Sequence, residues 1–402
     1  MATENKKYIP ALRFPEFQND GEWEADTMET IFDIKNGYTP SKSNPSFWDN
    51  GTIPWFRMED IRKNGHILSD SIQHVTPAAV KNAGLFPAYS IIVATTATIG
   101  EHALIIVDSL ANQQFTFLTK RKSFDNKLDM MYFHYFMFII DEWCKRNTNA
   151  GGLLSVNMDS FKKLTIPYPS SLSEQKKIAD CFVSIDKEID ATKRKLELLK
   201  EHKKGLMQRL FPAKGKTTPE LRFPEFQNDG EWIPRPLSDI LNYEQPTPYI
   251  VEDDTYKKEG TPVLTANKGF ILGYTDESFG IYNKLPVIIF DDFTTDKKYV
   301  DFSFKIKSSA MKLLTLKDEE RDNLRFIFEC MSNIVFEEKE HKRYYISEYQ
   351  HINIYVPSSL QEQNQIADTL LSIDKQISEY DKKIKALELH KKGLMQQLFP
   401  KL

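Results

Sequence analysis

The sequence has few cysteines and no long apolar run. Its 402 residues include three cysteines, Cys144, Cys181 and Cys330, which are too few and too scattered for a disulfide framework or a zinc cluster. A membrane-spanning helix needs about 18 or more consecutive apolar residues, and no segment approaches that length. The first residues are polar and lack the apolar segment of a secretion signal. We therefore expect a folded, cytoplasmic protein with reduced thiols.

The chain also lacks an excess of basic residues. Its formal net charge is −4 at pH 7, whereas proteins that bind nucleic acid are usually basic. Most of the acidity lies in residues 233–356, which contain 16 Lys and Arg against 21 Asp and Glu. This balance counts mildly against nucleic-acid binding, because net charge is a weak guide when only one face of a domain contacts phosphates.

Motifs of enzymes that act on DNA by themselves are missing as well. The sequence has neither the Gly-rich cofactor loop nor the Asn-Pro-Pro-Tyr type motif of an adenine methyltransferase, and it has no Gly-x-x-x-x-Gly-Lys-Ser/Thr phosphate loop. The segment Glu337-Glu-Lys339 resembles the end of a nuclease Glu-x-Lys motif, but it lies in a charged run, 337–343, that is typical of a solvated surface. We therefore expect no catalytic residue and no metal site in this chain.

Two segments occur twice, and this repeat is the most informative feature of the sequence. Residues 10–23 return almost unchanged 209 positions later, and residues 169–212 return 188 positions later. The blocks between these segments show no obvious alignment and differ by 21 residues in length. The pattern predicts a constant frame that carries two different inserts. The expected parts are an N-terminal arm (1–23), a first variable block (24–168), a first helix (169–212), a linker with the repeated arm (213–232), a second variable block (233–356) and a second helix (357–402).

The repeated helical segments carry a heptad pattern. Apolar residues recur at alternating steps of four and three, which is the pattern of a coiled-coil seam. A Pro-Ser-Ser turn precedes each helix, with Ser173 or Gln361 near its cap, and Phe-Pro ends it. Each helix of about 37 residues would be roughly 55 Å long. The expected seam consists of Ile178, Phe182, Ile185, Ile189, Leu196, Leu199, Leu206 and Leu210 in the first helix and Ile366, Leu370, Ile373, Ile377, Ile384, Leu387, Leu394 and Leu398 in the second.

Each helix is too long to bury its seam against one small domain, so the pattern favours pairing of the two copies. The alternative is that each helix packs on a separate core, and a repeat sustained over about five heptads argues against it. Identical seams allow either a parallel or an antiparallel pair. Because a domain lies between the helices in the sequence, we expect an antiparallel pair in a pseudo-two-fold arrangement.

Both variable blocks are predicted to be α+β domains of one type, because short β runs separated by Gly, Asn, Pro and Asp are followed by a helix. In the first block the predicted strands are 51–57, 90–95, 103–107 and 114–118, with a helix at 128–146. In the second block they are 261–265, 270–272, 286–290, 300–305 and 311–315, with a helix near 318–336. The blocks thus indicate one domain type that has diverged in its loops.

Polar loops on such domains are where recognition residues are expected. Side-chain amides, hydroxyls and Arg can read base edges, and Lys attracts phosphates. Each such residue could equally belong to a solvated connection, so the set is a hypothesis. The candidate DNA-binding residues of the first block are Lys35, Thr39, Lys42, Ser43, Arg57, Arg62, Lys63, Thr95, Thr96, Thr98, Gln113, Gln114 and Asn157. Those of the second block are Thr265, Asn267, Lys268, Thr294, Thr295, Lys342, Arg343, Tyr344 and Ser347.

The repeated segments resemble one protein family. The arm that begins at Pro219, the helix start at Ile166–Ala179 and the Lys-Lys-Gly-Leu-Met-Gln-x-Leu-Phe-Pro helix ends resemble the specificity subunits of bacterial Type I restriction-modification enzymes. The resemblance covers essentially the whole chain, although Ile354-Tyr-Val-Pro replaces Ile166-Pro-Tyr-Pro in the second copy. Within the blocks, the segments similar to known target-recognition domains are Asn36-Gly-Tyr-Thr-Pro, Ile53-Pro-Trp, Ala97-Thr-Ile-Gly100, Asn112-Gln-Gln and, in another class, residues 287–296.

The resemblance implies a fold and a role. Two target-recognition domains would be separated by conserved helices that form an antiparallel coiled coil. The chain would be a non-catalytic subunit that recognises a bipartite, asymmetric site in double-stranded DNA, one half per domain, with the gap set by the helices. Two methyltransferase subunits would bind S-adenosylmethionine, and two restriction subunits would use ATP and Mg²⁺, so no cofactor would bind this chain. A coiled-coil scaffold without DNA contact would explain the helices but not the paired, diverged domains.

Overall fold

The computed structural model describes residues 8–81, 84–149, 154–267, 269–337 and 342–402. The chain forms two compact units: unit 1 consists of Met1–Thr192 with Lys383–Leu402, and unit 2 consists of Lys193–Lys382. Each repeated helix contributes one part to each unit. Within the described ranges, no helix combines the length and the apolar composition that crossing a membrane requires.

Unit 1 contains an α+β domain. Its strands are β1 (Glu24–Thr27), β2 (Phe32–Asn36), β3 (Ile53–Phe56), β4 (Ile67–Leu68), β5 (His74–Val75), β6 (Ser90–Ala94), β7 (His102–Ile105), β8 (Leu110–Ala111), β9 (Phe115–Lys120) and β10 (Thr165–Tyr168). Its helices are α1 (Met28–Ile31), α2 (Met58–Asn64), α3 (Met130–Arg146), α4 (Met158–Lys162) and the first part of α5 (Leu172–Leu210). The sheets have the orders β2-β9-β6-β7-β4, β5-β3-β8 and β1-β10. Helix α3 packs on the largest sheet, where Phe133 and Phe136 share a core with Ile91 and Val93.

Unit 2 repeats this architecture. Its strands are β11 (Ile233–Pro236), β12 (Leu241–Glu244), β13 (Thr261–Leu264), β14 (Ile271–Thr275), β15 (Val287–Asp291), β16 (Lys297–Val300), β17 (Lys305–Ile306), β18 (Met311–Leu316) and β19 (Asn353–Val356). Its helices are α6 (Leu237–Ile240), α7 (Leu324–Ser332) and the first part of α8 (Leu360–Leu398). The sheets have the orders β12-β18-β15-β16, β14-β13-β17 and β11-β19, which match those of unit 1 except that, in the described residues, the largest sheet has no counterpart of β4. The prediction of one α+β domain type with diverged loops is confirmed.

One predicted strand, residues 300–305, is wrong. Strand β16 ends at Val300 and belongs to the four-stranded sheet, whereas β17 begins at Lys305 and belongs to the three-stranded sheet. The exposed residues 301–303 cross from one sheet to the other. The apolar alternation that suggested a single strand therefore comes from two strands in different sheets.

Several predicted helix starts also shift, because side-chain caps fix the first turns. Asn323 accepts a hydrogen bond from Phe326 N at 2.9 Å, so α7 starts after it and is shorter than the predicted helix at 318–336. The two long helices begin at residues 172 and 360, after Ser171 and Ser359, whose hydroxyls accept from the backbone at 3.2 and 3.4 Å. The predicted cap residues at 173 and 361 lie inside the first turn.

A two-stranded sheet brings the two ends of each variable block together. Strand β1 pairs antiparallel with β10, with Glu24 opposite Tyr168 and Thr27 opposite Thr165. Strand β11 pairs with β19 in the same way. Each block therefore leaves the frame and returns to it at adjacent backbone positions. This geometry lets the block between the two strands change in sequence and length without moving its attachment points.

An arginine of each repeated arm binds a buried glutamate at the start of a long helix. In unit 1, Arg13 donates two hydrogen bonds of 2.7 Å to the carboxylate of Glu174. In unit 2, Arg222 donates to Glu362 at 2.8 and 2.7 Å. Both glutamate side chains are fully buried, so the bidentate pairs compensate charges that would otherwise lie unpaired in the interior. We call these pairs the arm clamps.

The glutamine that follows each clamp glutamate fixes the loop in front of the domain helix. The Gln175 amide donates to the carbonyl oxygens of Lys127 and Pro169 at 2.6 and 2.7 Å, and its oxygen accepts from Asp129 N at 2.8 Å. Gln363 makes the three corresponding bonds in unit 2. The Glu-Gln dipeptide of the repeat thus ties the arm and the variable domain to one helix end.

The long helices pair antiparallel within each unit. In unit 1, α5 contacts the end of α8, where Asp186 accepts from Lys391 at 2.6 Å and Glu188 from Lys383 at 2.6 Å. In unit 2, the later part of α5 contacts the start of α8, and Lys203 donates to Asp374 at 2.7 Å. The sixteen residues of the expected seam are all buried or half-buried. Lys203 and Lys391 interrupt the apolar seam, and their pairing with a carboxylate of the other helix favours this register over a shifted one.

The arm clamps generate a prediction for stability. Replacing Arg222 with Ala should destabilise unit 2 by about 3–5 kcal/mol, because the substitution leaves the carboxylate of Glu362 buried without its partner. Replacing Arg209 with Ala breaks an exposed pair with Glu220, 3.0 Å apart, and should cost less than about 1 kcal/mol. Urea unfolding of the full chain, followed by intrinsic tryptophan fluorescence, compares the two variants. If both variants lose the same free energy of unfolding, the clamp does not stabilise the frame.

Candidate nucleic-acid interface

The loops that hold most candidate residues of unit 1 meet at one edge of the five-stranded sheet. Thr95, which follows β6, donates its backbone N–H to Gln114 O at 3.1 Å, and Val156 donates to Thr95 O at 2.9 Å. Asn112 donates to Phe56 O at 3.0 Å, which adds the end of β3. We define the loop edge of unit 1 as residues 36–39, 56–57, 95–96, 112–114 and 155–157.

Glycine is required where two of these loops touch. The backbone of Gly37 donates to Phe115 O at 2.9 Å. A Cβ atom at this position would lie 2.4 Å from the carbonyl oxygens of Ala111 and Asn112, which is too close for any side chain. The close approach lets Thr39 donate a hydrogen bond to the Gln113 side chain. The Asn36-Gly-Tyr-Thr-Pro motif therefore positions polar side chains from two loops next to each other.

A polar groove of about 400 Å³ lies at this edge. The candidate residues Thr95, Thr96, Gln113 and Asn157 line it. Asn36, Asn149 and Ser155 line it as well, although they were not among the candidates. Asn36 could have been found from its motif, whereas Asn149 is placed by a backbone hydrogen bond of 2.9 Å to Ser155 O that leaves no signal in the sequence.

The polar lining of the groove consists of amides, hydroxyls and one carboxylate, that of Asp159. The side-chain oxygen of Asn36 accepts from Thr116 at 2.9 Å, and that of Gln113 accepts from Thr39. The oxygen of Asn157 accepts from Ser160 N at 3.1 Å and caps α4. Each of these oxygens already accepts one bond inside the protein, and the amide nitrogens of Asn36, Gln113 and Asn157 are donors that a ligand can use. Donors of this kind fit the acceptor atoms of base edges and phosphates.

The other candidates of unit 1 lie outside the groove. Lys35 lines a separate pocket of about 320 Å³ with Lys81. Arg57 stands at the N-terminus of α2 and pairs with Glu59 at 3.2 Å. Arg62 and Lys63 are exposed in the last turn of α2, where cations favour the helix dipole. The remaining ones are Lys42 and Ser43 on an exposed loop, Thr98 after β6, and Gln114, whose oxygen accepts from Asn112 at 3.2 Å.

Unit 2 has a loop edge at the equivalent place. Tyr344 donates to Asp292 O at 2.8 Å, which corresponds to the bond between Val156 and Thr95 in unit 1. Lys307 donates to Leu264 O at 3.1 Å, which corresponds to the bond between Asn112 and Phe56. We define the loop edge of unit 2 as residues 245, 264–267, 292–295, 307–310 and 343–345. Candidate loops taken from two blocks that do not align in sequence thus fall at matching positions.

A buried ion pair lies beneath the loop edge of unit 2. Lys312 Nζ lies 3.1 Å from the carboxylate of Asp292 and donates to Gln245 Oε1 at 3.2 Å. Both charged side chains are 1% exposed, so neither can be removed singly without a large penalty. The same carboxylate accepts from Tyr345 N at 2.8 Å. Burial raises the pKa of the Tyr345 phenol well above its ordinary value, which keeps it neutral.

The corresponding positions of unit 1 are uncharged. Thr95 and Thr116 hydroxyls lie 3.0 Å apart, and Thr116 donates to Asn36 Oδ1 at 2.9 Å. By the strand registers, Thr95, Thr116 and Asn36 of unit 1 are equivalent in position to Asp292, Lys312 and Gln245 of unit 2. The two units therefore use one hydrogen-bond arrangement with different side chains at the base of their loop edges.

The candidates of unit 2 divide between the interior and the surface. Tyr344 is 1% exposed, so it packs in the interior and the expectation of a DNA contact from its side chain is wrong. Thr265 and Thr295 are also buried, the latter with a φ of 53°. Asn267 and Thr294 are exposed and share a hydrogen bond of 3.2 Å, and Lys342 pairs with Glu348 at 2.7 Å. Arg343 and Ser347 are exposed, and Lys268 lies outside the described residues.

The described part of the chain contains no group of three or more His, Cys, Asp or Glu side chains placed to hold a metal ion. The buried pair of His102 and Asp141, 2.8 Å apart, joins β7 to α3 instead. Desolvation raises the pKa of Asp141 against the opposing attraction of His102. This pair belongs to the core of unit 1 and lies apart from the residues that line the groove.

Comparisons with known proteins agree with this architecture. Residues 20–201 match the family described as the Type I restriction modification DNA specificity domain. The chain is 49% identical over 152 residues to the Type I restriction enzyme EcoprrI specificity subunit of Escherichia coli, a match that covers 38% of each chain. It is 48% identical over 146 residues to the EcoR124I/EcoR124II specificity subunit of the same organism, covering 34% of this chain and 36% of that one. The matched segments thus span well under half the length of these relatives.

Solved structures extend the fold similarity to nearly the whole chain. The S subunit of a Type I restriction-modification system from M. genitalium has a TM-score of 0.66 at 15% identity, with 98% of this chain and 99% of that chain covered. A structure from work on complex assembly of the type I R-M system has a TM-score of 0.50 at 14% identity, covering 94% and 96% of the two chains. At these identities the likeness concerns the fold alone. The match of residues 20–201 shows a Type I restriction modification DNA specificity domain in that part of the chain, and the solved structures show that nearly the whole chain shares the fold of the M. genitalium S subunit.

Proposed function

We propose that this chain is the DNA-recognition subunit of a Type I restriction-modification complex and reads a bipartite, asymmetric site in double-stranded DNA. The observation that carries the proposal is the pair of loop edges, which are built alike and carry different side chains. Two domains of one architecture with unlike loops are suited to reading two unlike sequences. Residues 24–168 would serve as one target-recognition domain and residues 233–356 as the other.

The frame supports independent reading by the two domains. Strand pairs β1-β10 and β11-β19 hold both ends of each block, and the arm clamps and Gln175 or Gln363 fix the block to a long helix. These contacts recur in both units, so a block contributes its loop edge and little else that is specific. The long helices would set the gap between the two half-sites.

The activity of the complex would reside in partner subunits. By analogy with the specificity subunits to which the chain is similar, we infer that two methyltransferase subunits bind S-adenosylmethionine and two restriction subunits use ATP and Mg²⁺. The chain would direct adenine methylation or restriction in the cytoplasm without catalytic residues of its own. A coiled-coil scaffold without DNA contact is the alternative, and it leaves the matching loop edges without a use.

Exchange of one block tests the proposed function. Residues 24–168 are replaced with the corresponding block of a relative of different specificity, in cells that also carry the methyltransferase subunit. One half of the methylated motif should change, while the other half and the gap stay the same, because β1 and β10 keep the attachment points fixed. Methylome sequencing gives the motif. A change in both halves would contradict independent reading by the two domains.

The length of the helices generates a further prediction. Inserting one heptad after Lys195 and another after Lys383 keeps the seam in phase and lengthens the paired helices by about 10 Å. The gap between the half-sites should grow by about three base pairs, because that length of DNA matches the added length of the helices. Three base pairs also rotate the second half-site by roughly 100°, so methylation falls if the domains do not follow this rotation. Both half-sites should keep their bases. Two-residue insertions at the same two positions turn the seam by about 200° and serve as the control, because insertions of three residues would only overwind the pair locally.

The motif recovered from the heptad variant decides the outcome. An unaltered gap at full efficiency, or altered bases in either half, would show that the helices are not the spacer. The two-residue control should lose methylation, because its apolar residues no longer meet across the pair. Methylome sequencing of both variants under the same expression conditions provides the comparison.

A further inference from the structure

The loop edge of unit 2 carries an exposed arginine on a rigidly held backbone segment. Arg343 occupies the position that corresponds to Ser155 of unit 1. It directly precedes Tyr344, whose backbone N–H donates to Asp292 O in the loop after β15. Its neighbours Tyr344 and Tyr345 are buried, and their backbone N–H groups donate to Asp292 at 2.8 Å each. The carbonyl oxygen of Arg343 accepts from the Ser347 hydroxyl at 3.0 Å. The backbone of Arg343 is therefore held from both sides.

The buried ion pair fixes the backbone segment that carries Arg343. Asp292 contacts both Tyr345 N and Lys312 Nζ, and Lys312 reaches Gln245 on the neighbouring segment. Removal of the ion pair would leave the segment of Arg343 without its main anchor. Preorganisation of this kind is what a recognition side chain needs, since a loosely held donor loses much of its selectivity.

The charge of Arg343 is directed outward. Four other cations of unit 2 are paired with carboxylates: Lys305 with Glu277, Lys307 with Asp254, Lys312 with Asp292 and Lys342 with Glu348. For Arg343, no carboxylate lies within ion-pair distance among the residues that the structure describes. Its guanidinium lies 5.9 Å from the centre of the Phe293 ring. This distance is at the outer limit of a cation–π contact, and the Arg343 residue as a whole is exposed.

A guanidinium with free N–H groups matches one base. Its parallel donors fit the O6 and N7 acceptors of guanine in the major groove, which is the commonest specific contact between proteins and DNA. The groove of unit 1 differs, because its polar lining consists of amides, hydroxyls and the carboxylate of Asp159, with no Lys or Arg. The two halves of the site should therefore be read by different chemistry.

We propose that Arg343 is a specificity-determining residue that reads a guanine in the half-site recognised by unit 2. The inference rests on the proposed function and deepens it, because it assigns a base to one residue. It requires that this half-site contains a G·C pair and that the guanine N7 contributes to binding.

The test uses the full chain assembled with its methyltransferase subunits. Methylome sequencing first gives the motif, and exchange of residues 233–356 identifies the half that unit 2 reads. Binding is then measured on duplexes in which each guanine of that half is replaced in turn with 7-deazaguanine, which lacks the N7 acceptor. The proteins compared are the parent, Arg343→Ala and Arg343→Lys. Lys317→Ala and Arg321→Ala serve as matched controls, because both remove an exposed cation of unit 2 outside its loop edge.

The expected results separate a base contact from a phosphate contact. One 7-deazaguanine substitution should weaken binding of the parent about 10-fold to 100-fold, and Arg343→Ala should lose a similar factor on unmodified DNA and become insensitive to that substitution. Arg343→Lys should lose discrimination at the same position, because lysine cannot make the bidentate contact. The two controls should keep the parent's preference.

Three outcomes would overturn the inference. The half-site read by unit 2 could lack a G·C pair, the 7-deazaguanine effect could be the same in Arg343→Ala as in the parent, or Arg343→Lys could bind like the parent. The last two results are those of a phosphate contact, which responds to charge and not to sequence. If the parent complex yields no bipartite motif at all, the proposed function fails and the inference fails with it.

Discussion

The buried pair between an arm arginine and a helix glutamate is the interaction on which the rest of the structure depends. Glu174 and Glu362 are fully buried, and each is compensated by both N–H groups of one guanidinium edge. The third nitrogen of the same arginine binds two carbonyl oxygens of the arm, of Asp20 and Gly21 in unit 1. One side chain thus folds the arm and attaches it to the helix. Because a lone carboxylate in this position is very costly, the arm and the helix start must occur together, as they do in both copies.

A frame defined in this way leaves the inserted blocks free to differ. The contacts that hold a block are the strand pair at its ends and the amide of Gln175 or Gln363, and most of these involve backbone atoms. Backbone contacts place few demands on the sequence of the block. The loop edges show the result: Thr95, Thr116 and Asn36 in unit 1 are replaced by Asp292, Lys312 and Gln245 in unit 2 within one hydrogen-bond arrangement. An uncharged pair of hydroxyls and an ion pair thus occupy equivalent positions in the two units.

Much of the fold could be predicted from the sequence, because periodicity and repetition are local signals. The heptad pattern gave the long helices, and the connection between them gave the antiparallel order, which the contacts of Asp186 and Asp374 show within each unit. The arm clamp could not be predicted, since Arg13 and Glu174 are 161 positions apart and either is unremarkable alone. Tyr344 is a candidate because it lies in a polar loop segment of the sequence, and its exposure of 1% shows that its side chain turns inward. Asn149 and Ser155 reach the groove through a loop closure that no periodicity marks.

The central claim is that this chain determines which DNA sites are methylated, and a comparison of methylomes tests it most directly. The genome of a host that carries the chain and its methyltransferase subunit is sequenced for methylated adenine, before and after deletion of the gene for this chain alone. The account predicts that one bipartite motif with two unlike halves and a fixed gap loses its methylation completely, while all other motifs persist. Persistence of every motif, or loss of a motif that is continuous or symmetric, would contradict it.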